Sequence, residues 1–261
     1  MLEHERQGLA EKITCLAGEM DVDAVKAMVA QYPGILGWTH LWGETPLLYC
    51  VTERQMDAVK LLVELGGDVN AVDDSGTPPL VTCCQMKYLE LAKFLLDNGA
   101  DPDGCDQHEN ALFHAISSHD ASMVELLLNY NANPNVRNFC GVWALFEAIY
   151  EKDYAIAELL LARGADPNVD DDTGDSLHYL IYSEMEIEPI PYYDLLAAHH
   201  ADLLRIGASA KHPLFLAICN GDIEITRYFL SKGMALQAKD EDGDTVERLL
   251  RMAGIREQVL G

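Results

Sequence analysis

The chain has 261 residues, 49% of them hydrophobic, and carries 43 acidic against 18 basic side chains, for a net charge of −25. An acidic excess of this size argues against nucleic acid and anionic membranes as partners, because both require positive surface. It leaves a basic partner, or solubility alone, as its use.

No apolar run approaches the length of a bilayer span, and the opening MLEHERQGLAEK lacks the apolar stretch of a secretory signal. Seven cysteines at irregular spacing predict free thiols in a reducing, cytoplasmic setting rather than a disulfide framework. Residues 1–40 predict a degenerate first unit. Leu9, Ile13 and Leu16 give one helical face, Val22, Val25, Met28 and Val29 a second, and Gly18 lies between.

The stretch 41–73 sets the pattern. Thr45 is a good N-cap and Pro46 is tolerated in a first turn. A second helix is predicted from about Asp57 to Glu64, ended by Gly66 in a left-handed conformation. The apolar residue after the Thr-Pro slot recurs as Leu47, Leu80, Leu112, Leu145, Leu177 and Leu214, at steps of 33, 32, 33, 32 and 37. The helix-ending slot is Gly66, Gly99, Asn131, Gly164, His200 and Gly233. Asn accepts positive φ readily, and His200 is the least expected occupant. A near-constant period of this size is the mark of a solenoid.

Four units follow at 41–73, 74–105, 106–137 and 138–169. Their first helices bury sets such as Leu47, Cys50 and Val51, and their second helices sets such as Val59, Leu62 and Val63. Cys50 and Cys83 fill the slot held elsewhere by Ala115, Ala148 and Ala217, so they read as small buried hydrophobes. The unit at 170–206 departs. Its segment 183–191, SEMEIEPIP, carries three glutamates and two prolines that break the helical pattern. The second helix is therefore expected from Tyr192 to about Ala198, and Leu180 replaces the small residue. The unit at 207–239 recovers, and 240–261 closes the chain as a cap.

Thr45-Pro46-Leu47 and the runs VKLLVELGGDVNA (59–71), AKFLLDNGADPD (92–103), VELLLNYNANPN (124–135) and AELLLARGADPN (157–168) resemble the ankyrin repeat family. That resemblance implies a single all-α domain over 1–261: a solenoid of helix-turn-helix units with loop or β-turn tips, about six full repeats plus degenerate caps. It implies a non-catalytic protein–protein interaction module without a cofactor, monomeric when unbound. Small acidic ankyrin proteins resemble immunity or antitoxin proteins, which implies a stoichiometric binder of a basic partner. The alternative is a general adaptor, scaffold or host-directed effector.

Motifs for other chemistry do not occur. There is no Walker loop, G-x-S-x-G or H-E-x-x-H. The adjacent Cys83-Cys84 lack zinc-knuckle spacing, and Asp170–Asp172 and Asp240–Asp244 lack the EF-hand pattern. His199-His200 read as a loop, and the resemblance implies a structural hydrogen-bonding role for His178.

Ankyrin stacks curve, and the resemblance implies that a partner lies against the loop tips and the exposed side of each first helix, on the concave face. Counting from the Thr-Pro slot places Trp42, Glu44, Asp74, Met86, His108, Glu109, Phe139, Tyr150, Glu151, Asp172, Asp175 and Tyr182 there. Aromatic anchors typify binding hot spots, and carboxylates around them select a cationic partner.

Overall fold

Thr45 opens its helix as the sequence predicts: its Oγ1 accepts a hydrogen bond from Leu48 N at 3.2 Å, and Pro46 stands in the first turn. The same start recurs with other residues. Asn110 caps at Phe113 N (2.9 Å), Thr245 at Arg248 N (3.2 Å), and His212 Nδ1 at Leu214 N (3.0 Å). Four of the second helices begin on aspartates instead, with Asp21, Asp120, Asp153 and Asp222 each capping a backbone N–H. Each such cap contributes about 1 kcal/mol.

A computed structural model describes all residues except 1, 172–173, 184–187 and 206–210, and all of their side chains except that of Leu41. The described residues divide into two compact units, Met1–Asn133 and Pro134–Gly261. The first contains α1 (Glu3–Gly18), α2 (Val22–Gln31), α3 (Pro46–Thr52), α4 (Met56–Glu64), α5 (Pro79–Met86), α6 (Leu89–Asp97), α7 (Ala111–Ser117) and α8 (Ala121–Asn129). Short 3-10 turns lie at Ile35–Gly37 and Leu41–Gly43. The second contains α9 (Ala144–Tyr150), α10 (Tyr154–Ala162), α11 (Leu177–Ser183), α12 (Pro189–Ala198), α13 (Pro213–Asn220), α14 (Ile223–Ser231), α15 (Val246–Met252) and α16 (Arg256–Leu260).

Each odd-numbered helix packs on its successor, and the odd-numbered helices pack on one another in series within each unit. This is a helical repeat solenoid, with no strand among the described residues. Isolated antiparallel bridges such as Cys105–Asn110 and Lys239–Thr245 close the tips.

The small-residue slot explains the close approach of the odd-numbered helices. Cys50, Cys83, Ala115, Ala148 and Ala217 are all fully buried, and Leu180 nearly so. Two expectations need correction. Val63 is half-buried and Leu61 is buried in its place. Helix α12 begins at Pro189, not Tyr192, because a first helical turn has no intrahelical use for the N–H that proline lacks. Four residues of the 183–191 segment, 184–187, lie outside the described residues. Residues 240–261 form a complete pair of short helices.

Backbone reversal after each second helix uses positive φ at every predicted slot: Gly66 (+93°), Gly99 (+89°), Asn131 (+64°), Gly164 (+91°), His200 (+68°) and Gly233 (+107°). A second series of positive φ, between the helices of every pair but α11–α12, was hidden in the sequence. It comprises Met20, Arg54, Lys87, His119, Lys152, Gly221 and Gly254. Across the next tip, asparagine side chains bind the neighbouring repeat. Asn70 accepts from Asp101 N (2.8 Å) and donates to Gly99 O (3.0 Å), and Asn135 does the same with Asp166 N (2.7 Å) and Gly164 O (3.0 Å).

The irregular unit holds a buried polar and aromatic network. His178 Nε2 donates to Arg205 O (2.9 Å) and Tyr193 Oη to His178 O (3.0 Å). His212 Nε2 donates to Leu203 O (2.8 Å) while its Nδ1 accepts from Leu214 N, which fixes a neutral ring. The two imidazoles lie 5.1 Å apart, and Phe229 meets His212 edge-on at 4.8 Å. Burial depresses both, His178 to about 3, helped by the neighbouring His212, and His212 to about 4.

Lys152 and Gly164 test the backbone account. Lys152→Gly should stabilise by about 0.5 kcal/mol by relieving positive φ, and Gly164→Ala should destabilise by about 1 kcal/mol although open space surrounds the new methyl. Urea midpoints of the two variants give the comparison.

The histidine pair sets an acid limit. Below the ordinary histidine value of about 6.5 the unfolded chain takes up protons that the folded pair refuses, so stability falls as pH falls. The loss should be about 2 kcal/mol per histidine between pH 7 and pH 5. Urea unfolding at the two pH values should show this fall, and a His178→Gln, His212→Gln double variant should show less of it.

Candidate partner-binding site

The tips are built on one device, in which a side-chain oxygen accepts the backbone N–H groups of the residues that follow. Asp73 Oδ1 takes Ser75 N and Thr77 N (2.8 and 2.9 Å), and Asp106 Oδ1 takes His108 N and Glu109 N (2.7 and 2.8 Å). Asn138 and Asp240 act in the same way on Cys140 and Val142 and on Asp242 and Asp244. Part of the acidity at 240–244 is thus structural. Among the described residues no group of three or more His, Cys, Asp or Glu is placed to hold a metal ion.

In the first unit, the structure brings Trp42, Glu44 and Asp74 together. Trp42 has φ of +72°, rare for a bulky side chain, and its indole is 80% exposed. Its carbonyl accepts from Asp74 N at 3.0 Å. At Gly43, a Cβ would lie 2.3 Å from Asp74 Oδ1, and φ is +76°, so glycine is required for the two tips to meet.

Behind Trp42, His40 N donates to Glu44 O (2.8 Å), and the imidazole stacks on Tyr49 with centroids 5.1 Å apart. Thr14 gives its own proton to Ala10 O (2.8 Å), so it accepts from His40 Nε2 at 2.6 Å. Burial lowers the His40 pKa, against the pull of Glu11. Burial raises that of Glu44, opposed by a hydrogen bond from Thr52 and reinforced by Asp73 and Glu53. Thr14, His40, Trp42, Glu44 and Tyr49 border a cavity of about 640 Å³.

Farther along this unit, Met86 and His108 are exposed, and Glu109 is half-buried, 3.9 Å from His114 Nδ1. His114 Nε2 lies 2.8 Å from Asp106 Oδ2. Burial would raise the Asp106 carboxyl, but the N–H groups of Glu109 and His108, together with His114, hold it below its ordinary value.

In the second unit, Phe139 is 70% and Tyr150 53% exposed, and Tyr150 stacks on Phe146 with centroids 6.2 Å apart. Val142, Trp143, Phe146, Leu177 and Leu180 border an apolar cavity of about 220 Å³. The Trp143 indole donates to Asp170 O at 2.9 Å, with the Arg137 guanidinium 4.0 Å above the ring.

Glu151 is exposed. Asp175 is only 5% exposed and pairs with Lys211 at 2.9 Å. Tyr182 is half-buried and donates to Asp222 Oδ2 at 3.1 Å. Asp172 lies outside the described residues. The sequence reading missed Glu11, His40 and Tyr49 in the first unit and Trp143 and Phe146 in the second. The spacing of Glu11, Cys15 and Gly18 on one face of α1 was the available signal.

The profile for ankyrin repeats in three copies matches residues 13–106 and 103–171. Among solved structures, the ankyrin repeat domain of Bcl-3, described as a unique member of the IkappaB protein family, is 24% identical with a TM-score of 0.67. The match covers 80% of this chain and 98% of that one. An ankyrin repeat domain from Acinetobacter baumannii AYE is 25% identical with a TM-score of 0.63, over 73% of this chain and 98% of that one. No helix among the described residues is long and apolar enough to cross a membrane.

The cysteines separate into two classes that alkylation should resolve. Burial pushes the Cys50 and Cys83 thiols up to about 12, and raises Cys84 as well. Cys15, Cys105, Cys140 and Cys219 are exposed. The thiolate is the nucleophile, so iodoacetamide on the native protein should label the four exposed sites and spare the other three until urea is added. Peptide mass spectrometry reads the outcome.

Proposed function

The chain belongs to the ankyrin repeat family, and from that premise we propose that it is a non-catalytic protein-binding module whose partner presents a basic surface. The observation that carries this reading is Trp42, an aromatic side chain held out into solvent on left-handed backbone with Glu44 and Asp74 beside it. Aromatic anchors give contact energy, and carboxylates around them steer and select cations. The repeat scaffold is a protein-interaction fold.

A stoichiometric inhibitor, in the manner of an immunity or antitoxin protein, is the form we favour, since the chain would then act by covering a basic face. An adaptor is the second reading. It draws on the two compact units, each with exposed aromatics of its own: Trp42 in one, Phe139 and Tyr150 in the other. Seven free thiols, three of them buried, suit the cytoplasm.

Capture of the partner from native lysate, followed by binding kinetics, tests the proposal. Trp42→Ala should mainly speed dissociation, with a loss of at least about 2 kcal/mol. Asp74→Lys should mainly slow association, and raising salt should do the same, since the Debye length is about 8 Å at physiological ionic strength. Affinity indifferent to salt and to both variants contradicts the reading. A partner that still binds a second protein while held favours the adaptor.

A further inference from the structure

We infer that the cavity between α1 and the Trp42 tip is a receptor for an arginine side chain of the partner protein. This deepens the basic-partner reading and rests on it. Helix α1 supplies Glu11 and its C-cap supplies Glu19 to the cavity, the tip supplies Trp42 and Glu44, and Tyr49 and His40 complete it as a stacked pair. No Lys or Arg is among the residues that line it. Three carboxylates with no cation among them repel an anion and leave an apolar occupant with polar walls, whereas they attract a positive charge.

The aromatic members point the same way, because a cation is drawn to the face of Trp or Tyr within about 6 Å. His40 does not compete. Burial lowers its pKa and its Nε2–H is committed to Thr14, so it presents a neutral ring. Glu44 is partly removed from water beside Asp73 and Glu53, and burial raises its proton affinity. A carboxylate in that position gains from a guest cation that replaces the lost hydration.

The planar walls favour guanidinium over ammonium. A guanidinium stacks on an aromatic face while its in-plane donors reach carboxylates at the edge. An ammonium is a compact, strongly hydrated point charge and can do only one of these well. A volume of about 640 Å³ admits the whole side chain with the adjoining backbone.

The test uses the full chain, isotope-labelled, titrated with the blocked tripeptide acetyl-Gly-Arg-Gly-amide and with its Lys and Leu counterparts. Resonances of the Trp42 indole and the Cys15 and Glu44 amides are followed. The arginine peptide should shift them saturably, the lysine peptide should bind at least about threefold more weakly, and the leucine peptide should leave them in place. Trp42→Ala and Glu44→Gln should each weaken the arginine peptide roughly tenfold. Both replace exposed or half-exposed side chains, and an unchanged urea midpoint confirms that they fold.

Equal shifts from the leucine peptide, or arginine-induced shifts confined to other residues, overturn the inference. An octa-arginine peptide separates it from the broader proposal. Octa-arginine bound as tightly by the Trp42→Ala, Glu44→Gln double variant as by the wild type overturns the arginine receptor and leaves the basic-partner reading standing. No octa-arginine binding by the wild type overturns both.

Discussion

A short helix pair with one apolar face has nowhere to bury it except against the next pair, and the rest of this molecule depends on that constraint. The chain must therefore reverse at the same two places in each repeat, and among the described residues both kinds of reversal use positive φ. The reversal after the second helix is mostly glycine, which adopts this conformation without strain. The reversal inside the pair is mostly not. Arg54 and Lys87 accept the strain there, and their side chains are put to use: the Arg54 guanidinium lies over Tyr88, and Lys87 Nζ donates to Ser118 O at 2.7 Å. Packing of the small slot, from Cys50 to Ala217, follows from the same requirement that first helices lie close.

Acidity is distributed unevenly in its effect. The first unit carries 21 acidic and 7 basic residues, a net −14, and the second 22 and 11, a net −11. In the second unit several carboxylates already hold a cation: Asp170 with Arg205, Asp175 with Lys211, and Glu247 with both Arg251 and Arg256. Glu11, Glu19 and Glu44 instead surround a cavity lined by no Lys or Arg. This contrast supports electrostatic recognition in the first unit, with the second offering aromatic area around Phe139, Phe146 and Tyr150.

The repeat was legible in the sequence because it is carried by residues with few structural uses: Thr-Pro at a helix start and Gly at a left-handed end. Even His200, the least expected occupant, sits at positive φ as its register requires. The second reversal was not legible, because Met20, Arg54, Lys87, His119 and Lys152 have no common chemistry. The start of α12 was misplaced because proline is a helix breaker in the interior and a helix starter in the first turn. Pattern alone does not say which applies at Pro189.

The candidate site was legible in part. Counting from the Thr-Pro slot picked out Trp42, Glu44 and Asp74, which lie on adjoining tips, since tips recur with the period. It also named Asp175 and Tyr182, whose side chains the structure engages with Lys211 and Asp222. Such pairings span about one repeat length and depend on rotamers rather than register. Glu11, His40 and Tyr49 escaped for a related reason. Glu11 and His40 come from the degenerate first unit, where the period gives no guide, and Tyr49 is brought in by its stacking on His40.

Hydrogen exchange of the protein alone and in complex with its captured partner tests most directly where recognition happens. The structure predicts new protection at the tips 40–44 and 73–76, with the outward faces of α4, α6 and α8 unchanged. Protection confined to those second helices, with the tips exchanging as in the free protein, would contradict the account.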